Sequence, residues 1–281
     1  MAVILDGKEV ARKIRQNLKE EVSKLKEEGI LPKLAVIMVG DDSASKIYVR
    51  NKSIACNEIG IEYEEYLLND KTTMEDLLSL IDKLNNDKSI NGILLQSPIP
   101  KNLDINKAFK AIDPIKDVDG FNPMNVGKLC LGQDAFVSCT PYGVIKILED
   151  YNIEIEGKNA VVIGRSNIVG KPMLQCLLNK NATVTVCHSR TKNLAEITKM
   201  ADILVVAIGK SKFVTKDMVK DGAVVVDVGI NRGENGKLCG DVDFEEVSKV
   251  AGYITPVPGG VGPMTIAMLM NNIVKAAKLQ N

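Results

Sequence analysis

This sequence of 281 residues has little histidine, no tryptophan and no closely paired cysteines. Its one histidine is His188, and its six cysteines are scattered, without a Cys-x-x-Cys pair. Histidine and cysteine provide most zinc ligands, and a Ser-His-Asp triad would depend on His188 alone. We therefore expect no metal, reduced cysteines that pack as thiols, and acid–base chemistry carried by Lys, Tyr, Asp, Glu or His188.

The sequence also lacks net charge and long apolar runs. Lys and Arg number 36, as do Asp and Glu, so no global field attracts nucleic acid or an anionic membrane. No apolar run approaches the ~18 residues that a membrane span needs. The opening stretch, MAVILDGKEV, is charged too early for a secretory signal. We expect a cytoplasmic protein with no nucleic-acid partner and no membrane partner.

Short aliphatic runs alternate with helical patterns in the first third of the chain. Apolar residues at spacings of three and four predict a helix over 8–28 with a cap at Asp6. The runs KLAVIMVG (33–40) and GILLQ (92–96) predict buried strands. Two predicted helices lie between these strands, one containing Tyr48 and one formed by TTMEDLLSLIDKLNND. This order predicts a parallel sheet covered by helices.

The pattern weakens over about 113–143, where turn-forming residues predominate, and we place the domain junction near the end of this stretch. A last helix is predicted from about Pro263 to Leu279. The fold class expected is therefore α/β, with two domains in series. The strands and helices of the second domain alternate from Asn159 onwards as NAVVIG, KPMLQCLLNK, ATVTVCHS, NLAEITKMA, DILVVAIG, TKDMVKDG and AVVVDVGI.

The stretch NAVVIGRSNIVGKPM predicts a strand, a tight turn and a helix suited to a pyrophosphate. Gly164 permits the turn, Ser166 supplies a hydroxyl, and Gly170 leaves backbone N–H groups at the start of a helix. A pyrophosphate at that position would meet the positive end of the helix dipole. The alternative is an ordinary strand–turn–helix connection whose glycines serve geometry alone.

The next predicted strand favours NADP over NAD. NAD-specific folds place Asp or Glu near the end of that strand to bind the ribose 2′-hydroxyl. Here ATVTVC ends in His188, Ser189 and Arg190, with no acid. Together with Arg165, these side chains can surround a 2′-phosphate. The alternative is that both arginines are solvated surface charges.

Tyr48 and Lys52 form Tyr-x-x-x-Lys, the spacing of the catalytic pair in short-chain dehydrogenases. In that class the pair follows the glycine loop within one domain, whereas here it precedes the loop and lies in the other predicted α/β unit. The order argues against a short-chain dehydrogenase. We expect the pair to share one face of a helix and to face the cofactor across a cleft between the domains.

The whole chain closely resembles the bifunctional methylenetetrahydrofolate dehydrogenase/cyclohydrolase family, because eight short motifs occur in the order of that family. These motifs are YVRNK (48–52), LLQSPIP (94–100), KDVDGFNP (116–123), CTP (139–141), GRSNIVGKP (164–172), CHSRT (187–191), DVGI (227–230) and PVPGGVGPMT (256–265).

The resemblance implies an enzyme that oxidises 5,10-methylenetetrahydrofolate to the 5,10-methenyl form with NADP. The product is then hydrolysed to 10-formyltetrahydrofolate. The resemblance also points to Lys52 as the base of the hydrolysis, oriented by Gln96, while Tyr48 stacks on the aminobenzoyl part of folate and Asp119 binds the pterin. Enclosure must lower the pKa of Lys52 from about 10.4 for it to act as a base.

Further ligand contacts are implied in the second half of the chain. Pro258 and Gly259, in the segment PVPGGVGPMT, are implied at the substrate. For His188, cofactor contact is favoured over a role as general base. The residues implied at the cofactor are Gly164, Arg165, Ser166, Gly170, His188, Ser189 and Ile230.

The resemblance implies a folate-binding catalytic domain over 1–140 and a Rossmann-like NADP-binding domain over 141–262. The last helix, 263–281, is expected to pack back on the first domain, and a homodimer is expected. Two alternatives remain, a dehydrogenase with little cyclohydrolase activity and a non-catalytic nucleotide-binding protein. Another two-domain dehydrogenase, such as a shikimate type, would lack KDVDGF and PVPGGVGPMT.

Overall fold

Two compact units make up the chain in a computed structural model that describes residues 1–233 and 236–281. The six-stranded unit comprises Met1–Arg12 and Ser138–Thr265, and the three-stranded unit comprises Lys13–Val137 and Ile266–Asn281. The predicted two-domain α/β class is confirmed. The predicted bounds of the two domains stay a prediction, and in the structure Met1–Arg12 clusters with the six-stranded unit. The assignment of separate functions to 1–140 and 141–262 stays a prediction.

The strands alternate with helices along both halves of the chain. The strands are β1 (Val3–Ile4), β2 (Lys33–Val39), β3 (Glu62–Leu68), β4 (Gly92–Leu95), β5 (Asn159–Ile163), β6 (Thr183–Cys187), β7 (Ile203–Val206), β8 (Val224–Asp227), β9 (Asn231–Arg232), β10 (Leu238–Cys239) and β11 (Tyr253–Ile254). The helices are α1 (Gly7–Glu27), α2 (Ser43–Ile59), α3 (Met74–Asn86), α4 (Ile105–Ala111), α5 (Pro123–Cys130), α6 (Cys139–Asp150), α7 (Gly170–Leu178), α8 (Leu194–Thr198), α9 (Phe244–Val247) and α10 (Val261–Leu279), with a 3₁₀ turn at Lys216–Met218.

The large sheet has the order β1-β11-β8-β7-β5-β6, and all of its neighbouring strands are parallel. Its strands β5, β7 and β8 are almost entirely buried aliphatic runs, as expected for a sheet covered on both faces. The strand order reverses between β5 and β7. In such sheets ligands bind beyond the carboxyl ends of the strands at the reversal, which here lead into Gly164 and Ala207.

The small sheet has the order β3-β2-β4 and is also parallel throughout. Strand order reverses between β2 and β4, so the reversal in this unit lies where β4 leads into Gln96. The amide of Gln96 donates to the carbonyl of Ile37 at 2.8 Å, which extends the strand pairing to that residue. The backbone of Gln96 is thus held as firmly as the strand itself.

Helix α2 begins and ends at recognisable capping residues. The Asp42 carboxylate accepts the amide of Ser45 at 2.7 Å, and Gly60 ends the helix in the left-handed conformation, with φ 86°. The apolar positions Val49, Cys56 and Ile59 are buried. The predicted cap of the first helix is confirmed as well, because Asp6 Oδ1 accepts the amides of Lys8 and Glu9.

Three of the differences between the sequence-based prediction and the structure have a clear physical reason. The edge strand β3 was not predicted, because only one of its faces is partly buried and it carries three glutamates. Helix α5 lies within the stretch predicted as irregular, and its N-cap Asn122 followed by Pro123 is a start signal. The predicted helix TKDMVKDG is only a 3₁₀ turn, because Val219 is extended and Gly222 has φ 78°.

Helix α6 packs closely against the first turns of α10 within the six-stranded unit. A Cβ added at Gly143 would lie 2.7 Å from Cβ of Met264. The two helices are also joined by a 3.0 Å hydrogen bond between the hydroxyls of Thr140 and Thr265. The absence of a side chain at Gly143 therefore permits this approach of the two helices.

We expect Gly143→Ala to lower the free energy of unfolding by about 1–3 kcal/mol, because the added methyl separates α6 from α10. The matched control is Gly127→Ala in α5, where an added Cβ meets no atom within 4 Å. That control should be neutral or stabilise by up to about 1 kcal/mol. Urea unfolding of both variants measures the difference, and equal effects would contradict the packing argument.

Candidate active site

Lys52 and Gln96 meet at the strand-order reversal of the three-stranded unit. Lys52 Nζ donates to Gln96 Oε1 at 2.7 Å. Gln96 is buried, and its Nε2 donates to the carbonyl of Ser97 at 2.6 Å, which directs Oε1 towards the lysine. Lys52 is half-buried, and Tyr48, one helical turn earlier, is 46% exposed. The structure thus brings together a lysine and its predicted amide partner, beside an accessible tyrosine.

The residue one turn beyond Lys52 does not compete as a base. Cys56 is fully buried, and burial raises the pKa of its thiol to about 12, although the nearby Lys52 charge acts in the opposite direction. Cys56 therefore stays a neutral thiol at ordinary pH. The basic group presented by this part of α2 is the amine of Lys52.

Asp119 lies in a loop that a buried carboxylate organises. Asp117 is 1% exposed and accepts hydrogen bonds from the amides of Phe121 and Asn122, at 3.1 and 2.8 Å. It also accepts the side-chain amide of Asn125 at 2.9 Å. Desolvation raises the pKa of Asp117 to about 6, against the effect of these donors. The partly exposed Asp119 is thereby held on a fixed backbone.

A side chain from α10 fixes the same loop from its other side. Asn272 is buried and donates to the carbonyls of Val118 and Val137, at 2.8 and 3.1 Å. The amide of Gly120 donates to the carbonyl of Asp117 at 3.1 Å, and Gly120 has φ 71°. The residues on both sides of Asp119 are therefore tied to the rest of the unit.

The predicted glycine turn of the six-stranded unit has the geometry that requires glycine. Gly164 has φ 130°, and an added Cβ would lie 2.3 Å from the carbonyl oxygen of Ala207, beyond the end of β7. An added Cβ at Gly170 would lie 2.3 Å from the carbonyl oxygen of Gly164. The first turn of α7 thus packs directly on the backbone of the glycine turn, at the strand-order reversal.

The Ser166 hydroxyl has a role that the sequence did not predict. It accepts the amides of Val169 and Gly170 at 3.2 and 3.3 Å, and the Ser166 carbonyl accepts the amide of Lys171 at 3.0 Å. The first amides of α7 were expected to be open to a phosphate, but here Ser166 binds them. The reason is that the first amides of a helix have no partner within the helix and need another acceptor.

His188 and Ser189 directly follow β6, the strand that pairs with β5 beside the glycine turn. Ile163 pairs with Cys187, so β5 and β6 end at the same edge of the sheet. The amide of Gly164 donates to the carbonyl of Cys187 at 2.9 Å. Arg165 and Ser189 therefore both lie two residues beyond a pair of directly bonded strand ends, and both are exposed.

Ile230 is 51% exposed and follows a loop held by two buried carboxylates. Asp227 accepts the amides of Gly229, Asp241 and Val242, each at 2.9 Å. Asp241 in turn accepts the backbone amides of the three residues at 208–210, at 2.7–3.0 Å. Together they bind the loops that follow β7 and β8, and burial raises the pKa of Asp227 to about 6.

The remaining predicted contacts, Pro258 and Gly259, lie in the six-stranded unit. Pro258 is exposed, and Gly259 has φ 109°, which favours glycine. The carbonyl of Gly259 accepts the amide of Lys8 at 2.9 Å, so the loop is tied to the start of α1. Tyr48, Lys52, Gln96 and Asp119 lie in the three-stranded unit.

Comparison with known families matches nearly all of the chain. Residues 5–119 match the catalytic domain of tetrahydrofolate dehydrogenase/cyclohydrolase, and residues 138–281 match its NAD(P)-binding domain. The chain belongs to the tetrahydrofolate dehydrogenase/cyclohydrolase family. The predicted family, the predicted enzyme class and the expected dinucleotide-binding domain are confirmed.

Individual members of the family are similar over their full length. The bifunctional protein FolD of Acetivibrio thermocellus is 60% identical over 99% of this chain and 98% of its own. The crystal structure of FolD from Campylobacter jejuni has 54% identity and a TM-score of 0.99, and each chain is covered completely. The Trypanosoma brucei enzyme, solved with NADP and an inhibitor, has 38% identity and a TM-score of 0.94 over 99% of this chain and 98% of that one.

The two family domains divide the predicted site residues cleanly. Tyr48, Lys52, Gln96 and Asp119 all lie within the segment that matches the catalytic domain. The predicted cofactor residues lie within the segment that matches the NAD(P)-binding domain, as do Pro258 and Gly259. The roles of these individual residues stay predictions.

The residues that support the loop carrying Asp119 were not predicted from the sequence. Asp117 and Asn122 stand within the motif KDVDGFNP, but an acid before a turn has too many ordinary explanations to identify it. Asn272 lies far away in the chain, so no local pattern relates it to Val118. The one signal available in the sequence was that Asn272 is a polar residue on an otherwise apolar face of the last predicted helix.

The raised pKa of Asp117 predicts a pH dependence of stability. In the unfolded chain this carboxyl has a pKa of about 3.8, and in the folded protein about 6, so the folded state binds the proton more tightly. Relative to Asp117→Asn, the wild-type free energy of unfolding should fall as pH rises from about 4 to about 6 and then level off. The change is up to about 3 kcal/mol, measured by urea unfolding at each pH.

The carboxyl resonance of Asp117 provides a check that does not depend on the variant's stability. In carbon-13-labelled wild-type protein its NMR titration should have a midpoint near 6. A midpoint below that of a free aspartate would show that the three N–H donors outweigh burial, and would reverse the sign of the pH dependence.

Proposed function

We propose that this protein oxidises 5,10-methylenetetrahydrofolate to 5,10-methenyltetrahydrofolate with NADP and hydrolyses the product to 10-formyltetrahydrofolate. The observation that carries the proposal is the 2.7 Å contact of Lys52 Nζ with Gln96 Oε1, within the segment that matches the family's catalytic domain. Membership of the family supports the two reactions, and the relatives named bifunctional support their combination in one chain.

Hydride transfer depends chiefly on the relative position of donor and acceptor. When bound, NADP supplies the nicotinamide that accepts the hydride from the methylene carbon. This chain's contribution is to hold the folate. Exposed Tyr48 can stack on the aminobenzoyl ring. The carboxylate of Asp119 can accept the adjacent N–H groups of the pterin, on a backbone fixed by Asp117 and Asn272.

Hydrolysis adds one water to the methenyl bridge. The water oxygen bonds to the bridge carbon as one water proton passes to a base. The carbon–nitrogen bond then breaks, and the remaining hydroxyl proton passes to that nitrogen, which leaves the formyl C=O. A base must take a proton from the attacking water, and we assign this to the neutral amine of Lys52. Because Gln96 Oε1 accepts one N–H of this amine, it orients the nitrogen without adding a negative charge that would keep the lysine protonated.

The cofactor is NADP rather than NAD in this proposal. Arg165 and Ser189 are both exposed beyond the bonded ends of β5 and β6, and no acidic residue follows β6 directly. The Trypanosoma brucei relative was solved with NADP, which supports the assignment. The further residues assigned to the cofactor are Gly164, Ser166, Gly170, His188 and Ile230, and those assigned to the substrate are Pro258 and Gly259.

The expectation that the reaction needs no metal stays a prediction from the sequence. In residues 1–233 and 236–281, no group of three or more His, Cys, Asp or Glu side chains is placed to hold a metal ion. None of the helices formed by those residues is long and apolar enough to cross a membrane. The homodimer stays a prediction from the resemblance to the family, and the cytoplasmic location stays a prediction from the sequence.

Substitution of Lys52 tests the assignment of the base. We expect Lys52→Met to lower the rate of methenyl hydrolysis by at least about 100-fold, which is the usual contribution of a general base. The control is Lys46→Met, since Lys46 is an exposed lysine of α2 that is paired with Asp41. Absorbance of the methenyl compound measures hydrolysis, and reduced nicotinamide measures the dehydrogenase separately. Hydrolysis by Lys52→Met at near the wild-type rate would contradict the assignment.

Gln96→Glu gives a second test of the same base. A carboxylate beside Lys52 stabilises its ammonium form and raises the pKa of the lysine. The pH–rate profile of hydrolysis should then move to higher pH, while the dehydrogenase profile moves less. An unchanged hydrolysis profile would show that the protonation state of Lys52 does not control this step.

Substitution of Arg165 tests the cofactor assignment. We expect Arg165→Ala to raise KM for NADP by about 10- to 100-fold, the effect of one lost charged hydrogen bond, and to change KM for NAD far less. Lys158→Ala is the matched control, because Lys158 is a partly exposed cation directly before β5, at the opposite end of that strand. Equal changes for both cofactors would contradict the assignment.

A further inference from the structure

A tight turn of four residues, 188–191, follows β6 at the carboxyl edge of the large sheet. The amide of Thr191 donates to the carbonyl of His188 at 2.8 Å, which closes a β-turn with Ser189 and Arg190 at its centre. Both central residues are exposed. The conformation of this turn therefore sets the backbone positions of Ser189 and Arg190.

Two further hydrogen bonds, each to a side-chain acceptor, stabilise the same turn. The amide of His188 donates to Thr191 Oγ1 at 2.8 Å, so His188 and Thr191 are bonded in both directions. The amide of Arg190 donates to His188 Nδ1 at 3.1 Å. A neutral histidine that accepts at Nδ1 carries its proton on Nε2. One hydroxyl and one imidazole thus fix the backbone of a turn that has no strand partner.

The residue directly before the turn is bonded to the segment that carries Arg165. The carbonyl of Cys187, directly before the turn, accepts the amide of Gly164 at 2.9 Å. Among the residues that the structure describes, the side chains of Arg165, Ser189 and Arg190 show no hydrogen-bond or ion-pair partner within the protein. Two guanidinium groups and one hydroxyl at adjoining strand ends are suited to a phosphate monoester.

We propose that Thr191 is a positioning residue for cofactor discrimination, whose hydroxyl fixes the turn that presents Ser189 and Arg190 to the 2′-phosphate of NADP. The inference rests on the proposed use of NADP. Thr191 itself lies one residue beyond these two side chains and acts through the backbone of the turn. The nearby Cys187 adds no negative charge, because burial raises the pKa of its thiol.

The residue type suits this role. A β-branched side chain has few rotamers, so the Thr191 hydroxyl is held at the amide of His188 with little loss of freedom. Valine has the same branched shape without the acceptor, and serine keeps the acceptor without the branch. Comparing Thr191→Val with Thr191→Ser therefore separates the hydrogen bond from the packing of the side chain.

The test measures binding rather than turnover. Adenosine 2′,5′-bisphosphate and adenosine 5′-monophosphate differ only in the 2′-phosphate, and their affinities for the full-length protein are measured by calorimetry. We expect Thr191→Val to weaken the bisphosphate about tenfold and the monophosphate by less than about twofold. Thr191→Ser should restore most of the affinity. These values correspond to a loss of about one hydrogen bond at the phosphate alone.

Two results would overturn the inference. Equal weakening of both nucleotides by Thr191→Val would show a general structural role, and unchanged affinities would show that the turn does not need the hydroxyl. If Thr191→Val does not fold, as judged by its thermal unfolding, Thr191→Ala removes the same acceptor without placing a methyl group there and is judged by the same two results.

Arg165→Ala, assayed in parallel, separates this inference from the proposed function. If Arg165→Ala selectively weakens the bisphosphate but Thr191→Val does not, NADP stands and the role of Thr191 fails. If wild-type protein does not prefer the bisphosphate at all, the NADP assignment itself fails, and the inference fails with it. Steady-state kinetics add a further readout, because a positioning role should raise KM for NADP and leave kcat within about twofold.

Discussion

Parallel strand pairing determines where Gln96, Arg165 and Ser189 lie in this protein. Adjacent parallel strands end at the same edge of a sheet, and the chain must leave that edge through loops that no strand pairs. Ile163 opposite Cys187 places Arg165 and Ser189 beyond neighbouring strand ends. In the other unit, the pairing of β2 with β4 places Gln96 at the reversal of strand order. The register of the two sheets therefore sets the positions of these candidate residues.

The loops beyond the strand ends need other hydrogen-bond acceptors, and buried carboxylates provide them. Asp117 accepts three N–H donors from residues 121–125, and Asp227 accepts three amides from the two segments that follow β8 and β10. An unpaired buried amide costs about as much as a lost hydrogen bond, so these acids stabilise loops that cannot join a sheet. Gly229 and Gly240 permit the close approach, since an added Cβ at either would overlap a carboxylate.

Patterns that involve neighbouring residues were predictable from the sequence. The buried strands β2, β4, β5 and β7 were found because they are continuous aliphatic runs, and the spacing of Tyr48 and Lys52 follows from helical geometry. The edge strand β3 was missed because an edge strand needs only one apolar face, and here three glutamates interrupt the apolar run: Glu62, Glu64 and Glu65. Asn272 and Thr191 were not predictable as supports, since their role depends on which carbonyl or amide the fold brings to them.

A Tyr-x-x-x-Lys spacing does not by itself determine what the lysine does, because the group that contacts the lysine affects its charge. A lysine beside a carboxylate gains an ion pair, and its pKa rises, so it serves as a fixed positive charge. Lys52 instead contacts the neutral amide oxygen of Gln96, and the thiol of Cys56 on the next turn is uncharged. Neither neighbour stabilises the ammonium form by a full charge. The carbonyl oxygen of Gln96 can therefore orient Lys52 without itself contributing a negative charge, as the proposed role of a base requires.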